Sequence, residues 1–179
     1  MMANDKLFVI TGGPGSRKTT LLLELERRGF RCSHEVARKI IQEQVATNGD
    51  ALPWANRLRY TELMLAKSIV AYRENSASPE IVFMDRGIPD CACYARLIGL
   101  PLFDDLEAAC AAYRYNRSVF LAPPWPEIYA MDTERKQTYV EAVTTYEKMI
   151  EVYQDYGYFP IELPKIDPQA RAEFVLAQI

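Results

Sequence analysis

The run VITGGPGSRKTTLLLEL, residues 9–25, constrains this chain more than any other stretch. An apolar segment leads into Gly12, Gly13 and Gly15, then into Lys18, Thr19 and a leucine-rich stretch. Glycines at that spacing let the backbone turn tightly and expose successive N–H groups, and a helix starting there adds its positive N-terminal end. The expected local structure is strand, anion-cradling loop and helix, which is the opening unit of a parallel α/β sheet. The loop's candidate contacts to a nucleotide are Gly12, Gly13, Pro14, Gly15, Ser16, Arg17, Lys18, Thr19 and Thr20. Lys18 would place a cation on the outer phosphates and Thr19 a hydroxyl on Mg²⁺. Thr20 serves as a weaker contact or as part of the helix start.

One letter departs from the pattern G-x-x-x-x-G-K-[ST]: Arg17 stands where the last glycine belongs. A positive φ at that position would cost about 1–2 kcal/mol of strain for a residue with a side chain. A helical φ would let Arg17 point outward and leave the other amides usable. Glycine is required most strictly where the backbone turns, so the expectation is nucleotide binding with reduced affinity, and catalysis more affected than binding.

The 179 residues fit one domain, 1–179, able to bury a core without disulfides. With 49% hydrophobic and 25% charged residues the chain reads as globular, and a net charge of −3 without a basic block argues against a nucleic-acid surface. No apolar run reaches membrane-spanning length and the first residues lack a signal pattern, so the chain is expected in the cytoplasm. Cys32, Cys91, Cys93 and Cys110 form no C-x-x-C pair and have only His34 as an imidazole partner, which favours reduced thiols over a zinc site. Oligomeric state is not legible.

Short apolar runs at 6–11, 30–33, 80–85, 117–121 and 159–163 read as strands, the first, third and fourth as buried central ones. Helical patterns fill 18–28, 35–47, 56–75, 89–97, 104–114, 133–156 and 168–178. In the sixth, Tyr139, Val143, Tyr146, Ile150 and Tyr153 recur at helical spacing and mark a packing face.

Ligands of open α/β sheets bind outside the carboxyl ends of the strands. The third strand ends at Asp85 and Arg86, a metal-holding acid beside a cation able to pair with a substrate anion. After the second, Glu35 stands where a base could reach an acceptor hydroxyl, in the first turn of a helix with Arg38 further along; His34 is the weaker base. The proline-rich segment APPWPE leads to Asp132, Arg135 and Lys136, and a lid arginine such as Arg135 would stabilise charge on a transferring phosphoryl group. Trp125 reads as a packing anchor.

TGGPGSRKTTLL, EVARKIIQE, MDRGIPDCACYARLIGLP, VFLAPPWPEIYAMDTERK and YGYFPIELP, in that order, resemble the predicted AAA-type ATPases related to the nicotinamide-riboside kinase domain, within the P-loop nucleoside and nucleotide kinases. The resemblance implies a P-loop NTPase three-layer α/β/α fold with a five-stranded parallel sheet of order 2-3-1-4-5, ATP with Mg²⁺, and a lid at about 123–137. By motif position it implies phosphate contacts from the loop, metal or substrate roles for Asp85 and Arg86, an acceptor side at Glu35 and Arg38, and a substrate contact from Asp90. The expected function is an ATP- and Mg²⁺-dependent phosphotransferase on a small hydroxyl-bearing metabolite, with Lys18, Glu35, Asp85 and Arg135 catalytic. The alternative is an ATPase, or a nucleotide-responsive binding module whose catalysis Arg17 weakens.

Overall fold

Three apolar strands take the centre of the sheet because they can be buried on both faces. β1 (Leu7–Gly12) is buried along its whole length, as is β3 (Val82–Asp85), and β4 (Ser118–Ala122) is buried except at its first residue. Two short strands with exposed residues, β2 (Arg31–Ser33) and β5 (Phe159–Glu162), form the edges. The order is β2-β3-β1-β4-β5 with every pair parallel, as the family resemblance implies. The computed structural model describes residues 3–126 and 138–179.

Helices cover both faces. α1 (Lys18–Arg27) and α7 (Pro168–Leu176) pack with Phe8, Ile10, Phe83 and Phe120 on one side. On the other lie α2 (Ala37–Ala46), α3 (Arg57–Ser76), α4 (Ile88–Leu97), α5 (Asp104–Ala112) and α6 (Tyr139–Asp155), around Val9, Met84, Val119 and Leu121. Alternating β1 residues thus feed opposite cores, as the strand's period of two requires. Every strand ends its carboxyl terminus at the same edge of the sheet, where the loops leading to the helices gather.

Two expectations need correction. The second helix begins at Ala37, not at residue 35, so Glu35 lies in the turn after β2. Its carboxylate is drawn to Arg86 of the neighbouring strand end, a tertiary pair that outweighs local dipole chemistry. In α6 the buried residues are Ala142, Thr145, Met149, Val152 and Tyr153, while Tyr139 is exposed. Of the expected face, Tyr153 is fully buried and Tyr146 and Ile150 pack against the core at its margin. α6 starts with a capping box, Thr138 Oγ1 accepting from the Glu141 N–H and Glu141 Oε2 accepting from the Thr138 N–H. The sequence-predicted start at 133, and most of the lid-like segment, lie outside the described residues.

Candidate functional site

The loop between β1 and α1 is built on required glycines. Gly12 has φ 146°, and a Cβ there would lie 2.5 Å from the Ala122 carbonyl oxygen. Gly15 also sits at positive φ, 76°. A Cβ on Gly13 would meet open space, so that position is free of any demand from the protein itself.

Arg17 takes the strained option. It sits at φ 59°, ψ 33°, the left-handed conformation in which the missing glycine would be comfortable. Neighbours hold it there: its guanidinium lies 5.7 Å from the Trp125 ring centroid, and its carbonyl accepts from Thr20 Oγ1. Arg171, almost fully buried, approaches the same ring at 5.5 Å. Its Nη1 donates to the Ser16 carbonyl at 2.9 Å and its Nε to the Pro164 carbonyl at 2.7 Å. Ser16 Oγ closes the loop on the Gly13 carbonyl. Sequence reasoning missed Arg171, because an arginine in a terminal amphipathic helix carries the pattern of a surface residue.

Lys18 is buried and donates to the Gly12 and Gly13 carbonyls at 2.8 and 3.3 Å. Burial, and then the nearby Arg86 charge, lower its pKa to about 8. Thr19 and Thr20 are exposed on the first turn of α1, and Pro14 is exposed on the loop.

At the adjoining strand ends four charged groups meet. Arg86, at φ 73°, donates from Nε to Glu35 Oε1 at 2.9 Å and from Nη1 to Asp90 Oδ1 at 3.2 Å. Arg17 and Arg86 are thus two of the three non-glycine residues at positive φ among those described, both at this edge of the sheet. Burial alone would lower the Arg86 pKa, but Glu35, Asp90 and Asp85 outweigh it and raise it. Burial pushes Glu35 up, yet Arg86 and Lys18 more than offset that and hold it below the ordinary carboxylate value. Asp85 goes the other way, raised chiefly by burial, and its Oδ1 is buried with no hydrogen-bond partner among the described residues.

Asp90 is committed to the fold as well as to Arg86. Its Oδ2 accepts from the Gly87 N–H at 2.8 Å and from the Tyr153 hydroxyl at 2.6 Å, and Oδ1 accepts from the Thr11 hydroxyl. It ties β1, α4 and α6 together at the floor of the site.

Pro14, Glu35, Asp85, Arg86 and Asp90 line one cavity of about 700 Å³, which extends between α3, α4 and α6. Arg38 is exposed on α2 and does not line it. Asp132, Arg135 and Lys136 lie outside the described residues. His34 lines the cavity at its edge and pairs with Glu26 at 2.9 Å. The four cysteines are free thiols, and burial raises Cys32, Cys91 and Cys93 to about 12. Among the described residues no cluster of His, Cys, Asp and Glu has the makings of a metal centre, and no helix is long and apolar enough to cross a membrane.

A family model described as AAA domain matches residues 7–171. The chain belongs to this family. That agrees with the resemblance carried by the motifs, and the AAA-domain match includes every strand and the whole phosphate loop. Among solved structures, the NadR protein in complex with NR is similar with a TM-score of 0.70 at 20% identity, over 97% of this chain and 49% of that one. The chain therefore spans about half the length of NadR. Deoxyadenosine kinase from M. mycoides with bound dATP gives 0.66 at 11% identity, over 97% and 98%. Shikimate kinase from Acinetobacter baumannii in complex with shikimate gives 0.53 at 14%, over 97% and 92%. At these identities the likeness is one of fold. No curated protein matches the chain in sequence.

Proposed function

We propose that the protein is an ATP- and magnesium-dependent phosphotransferase acting on the hydroxyl of a small molecule. The observation that carries this reading is a convergence. The loop that buries Lys18 abuts a cavity whose near end presents the Glu35–Arg86 pair and Asp85, one carboxylate oxygen of which has no hydrogen-bond partner among the described residues. Solved structures of similar fold include a shikimate kinase with shikimate, a deoxyadenosine kinase with dATP, and NadR with NR or with NAD and AMP-PNP.

The loop amides and Lys18 would cradle the phosphates of ATP. Thr19 and the bare oxygen of Asp85 fit a magnesium ion, whose charge when bound offsets that of the phosphates. Glu35, fixed by Arg86, would accept a hydrogen bond from the acceptor hydroxyl and orient it toward the terminal phosphorus. A weak base suffices there, because the phosphoryl group passes through a loose transition state and the hydroxyl needs little activation. Arg86 would hold charge on the transferring group. Arg135 remains part of the proposal as a lid cation, and Arg38 as an acceptor-side contact at the rim.

The test is Lys18→Ala in a coupled ADP-release assay, with a melting curve as the control for folding. ATP turnover should fall at least about 100-fold while the cooperative melt persists. Retained turnover would refute the assignment. Phosphate release without any acceptor would mark the protein as an ATPase. A second reading, a nucleotide-responsive binding module with poor transfer, rests on the identity of Arg17, a long side chain where the loop pattern has its last glycine.

A further inference from the structure

The cavity has two chemically distinct ends. The charged groups collect beside the loop, and most of their hydrogen-bonding capacity is already spent: Glu35 on Arg86, Arg86 on Asp90, and Asp90 also on Thr11, Gly87 and Tyr153. Beyond them the wall is apolar and soft, made by Tyr60, Met64, Met84, Cys93, Tyr94 and Leu97. Tyr60 and Tyr94 meet edge to face with centroids 5.5 Å apart. Thioethers and thiols beside such rings favour a flat, polarizable occupant. The described lining includes no Asn, Gln or Lys, the side chains best able to read the edge of a nucleobase. At about 700 Å³ the space suits a drug-sized molecule. A polyhydroxylated sugar or a nucleobase placed there would regain fewer hydrogen bonds than it loses to water. Polar side chains elsewhere in the lining are spent on the protein itself, Ser68 on Cys91, Thr144 on the Val140 carbonyl, Glu141 on Thr138 and His34 on Glu26, so the wall offers few free hydrogen-bonding groups.

We propose that the acceptor is an uncharged alcohol with an aromatic, predominantly apolar body. Its hydroxyl lies at Glu35 and its rings fill the space between α3 and α4. This deepens the phosphotransferase reading and rests on it. In the reaction the alcohol oxygen forms a bond to the γ-phosphorus of ATP, and the bond from that phosphorus to the β,γ-bridging oxygen breaks. ADP leaves with that electron pair, and the hydroxyl proton passes to the Glu35 carboxylate and then to water.

The full chain is assayed with magnesium and ATP against 2-(2-naphthyl)ethanol and adenosine. ADP release, ³¹P NMR of the product, and calorimetric titration of each acceptor without ATP provide the readouts. The expected result is a naphthylethyl phosphomonoester, formed with a KM at least tenfold below that for adenosine. Met64→Gln, checked by its melting curve, should narrow that gap by admitting an amide to the wall. Phosphorylation of adenosine with no heat from naphthylethanol would overturn the acceptor class and leave the kinase reading standing. Heat from naphthylethanol with no ADP formed from either acceptor would support the pocket assignment and overturn the kinase reading.

Discussion

Arg17 adopts the backbone conformation that a glycine would take without strain, and this decides how its side chain bears on function. Were the residue helical, the loop would have another shape and its amides other directions. Because it is left-handed, the loop keeps its course, and the cost of about 1–2 kcal/mol falls on stability. The contact with Trp125, at about 0.5–1 kcal/mol, returns part of it. Arg17→Gly should therefore leave the melting temperature within about 2–4 °C, since the gain from relieved strain is offset by the lost contact and by glycine's larger unfolded-state entropy. ATP affinity, measured by calorimetry, should change less than about threefold. A tenfold gain, about 1.4 kcal/mol, would instead identify an impaired loop and favour the binding-module reading. From letters alone the substituted glycine looks like a defect in binding; its φ turns it into a question of stability.

At the level of elements, the loop is held from behind by α7. The Arg171 fork satisfies the Ser16 and Pro164 carbonyls at once, yet its Nη2 is buried without a partner, and no carboxylate bonds to the guanidinium among the described residues. Such an arrangement is expensive to bury and is explained if it positions the loop. Arg171→Lys keeps the charge but cannot bridge two carbonyls with a planar fork. ATP affinity should weaken about tenfold in that variant, with a cooperative melt retained; unchanged affinity would reduce Arg171 to packing. This support was not legible in the sequence, since nothing in DPQARAEF separates a buried arginine from a solvated one. The sheet was legible, because β1, β3 and β4 carry continuous apolar runs that only a doubly covered strand needs. Glu35 was placed by its distance from a strand end, which survives the shift of the helix start to Ala37. The packed face of α6 was legible at Tyr146, Ile150 and Tyr153, whereas Tyr139 is exposed and the small Ala142 joins the face without marking a hydrophobic pattern dominated by aromatic residues.

For the whole molecule, the buried titratable groups oppose one another above neutral pH. Burial holds the thiols of Cys32, Cys91 and Cys93 at about 12 and that of Cys110 at about 11, against an ordinary value of 9.0. Above pH 9 the unfolded chain releases these protons and the folded one keeps them, so the stability they contribute is present below pH 9 and drains as pH rises toward 12. Each costs about 1.4 kcal/mol per pH unit of that window. Lys18 has the opposite sign: its folded pKa of about 8 lies below the ordinary 10.5, so the unfolded chain binds more protons between those values and stability rises with pH there. Four thiols against one lysine leave a net loss at pH 10. Replacing Lys18 by methionine removes the only one of these contributions that resists it. Urea unfolding at pH 7.5 and pH 10 should show wild-type stability falling between the two, and Lys18→Met falling further, by about 2–3 kcal/mol. At pH 7.5 the variant should be the more stable of the pair, since it no longer buries an ammonium group. Equal pH slopes for the two proteins would mean that Lys18 keeps its ordinary pKa in the fold.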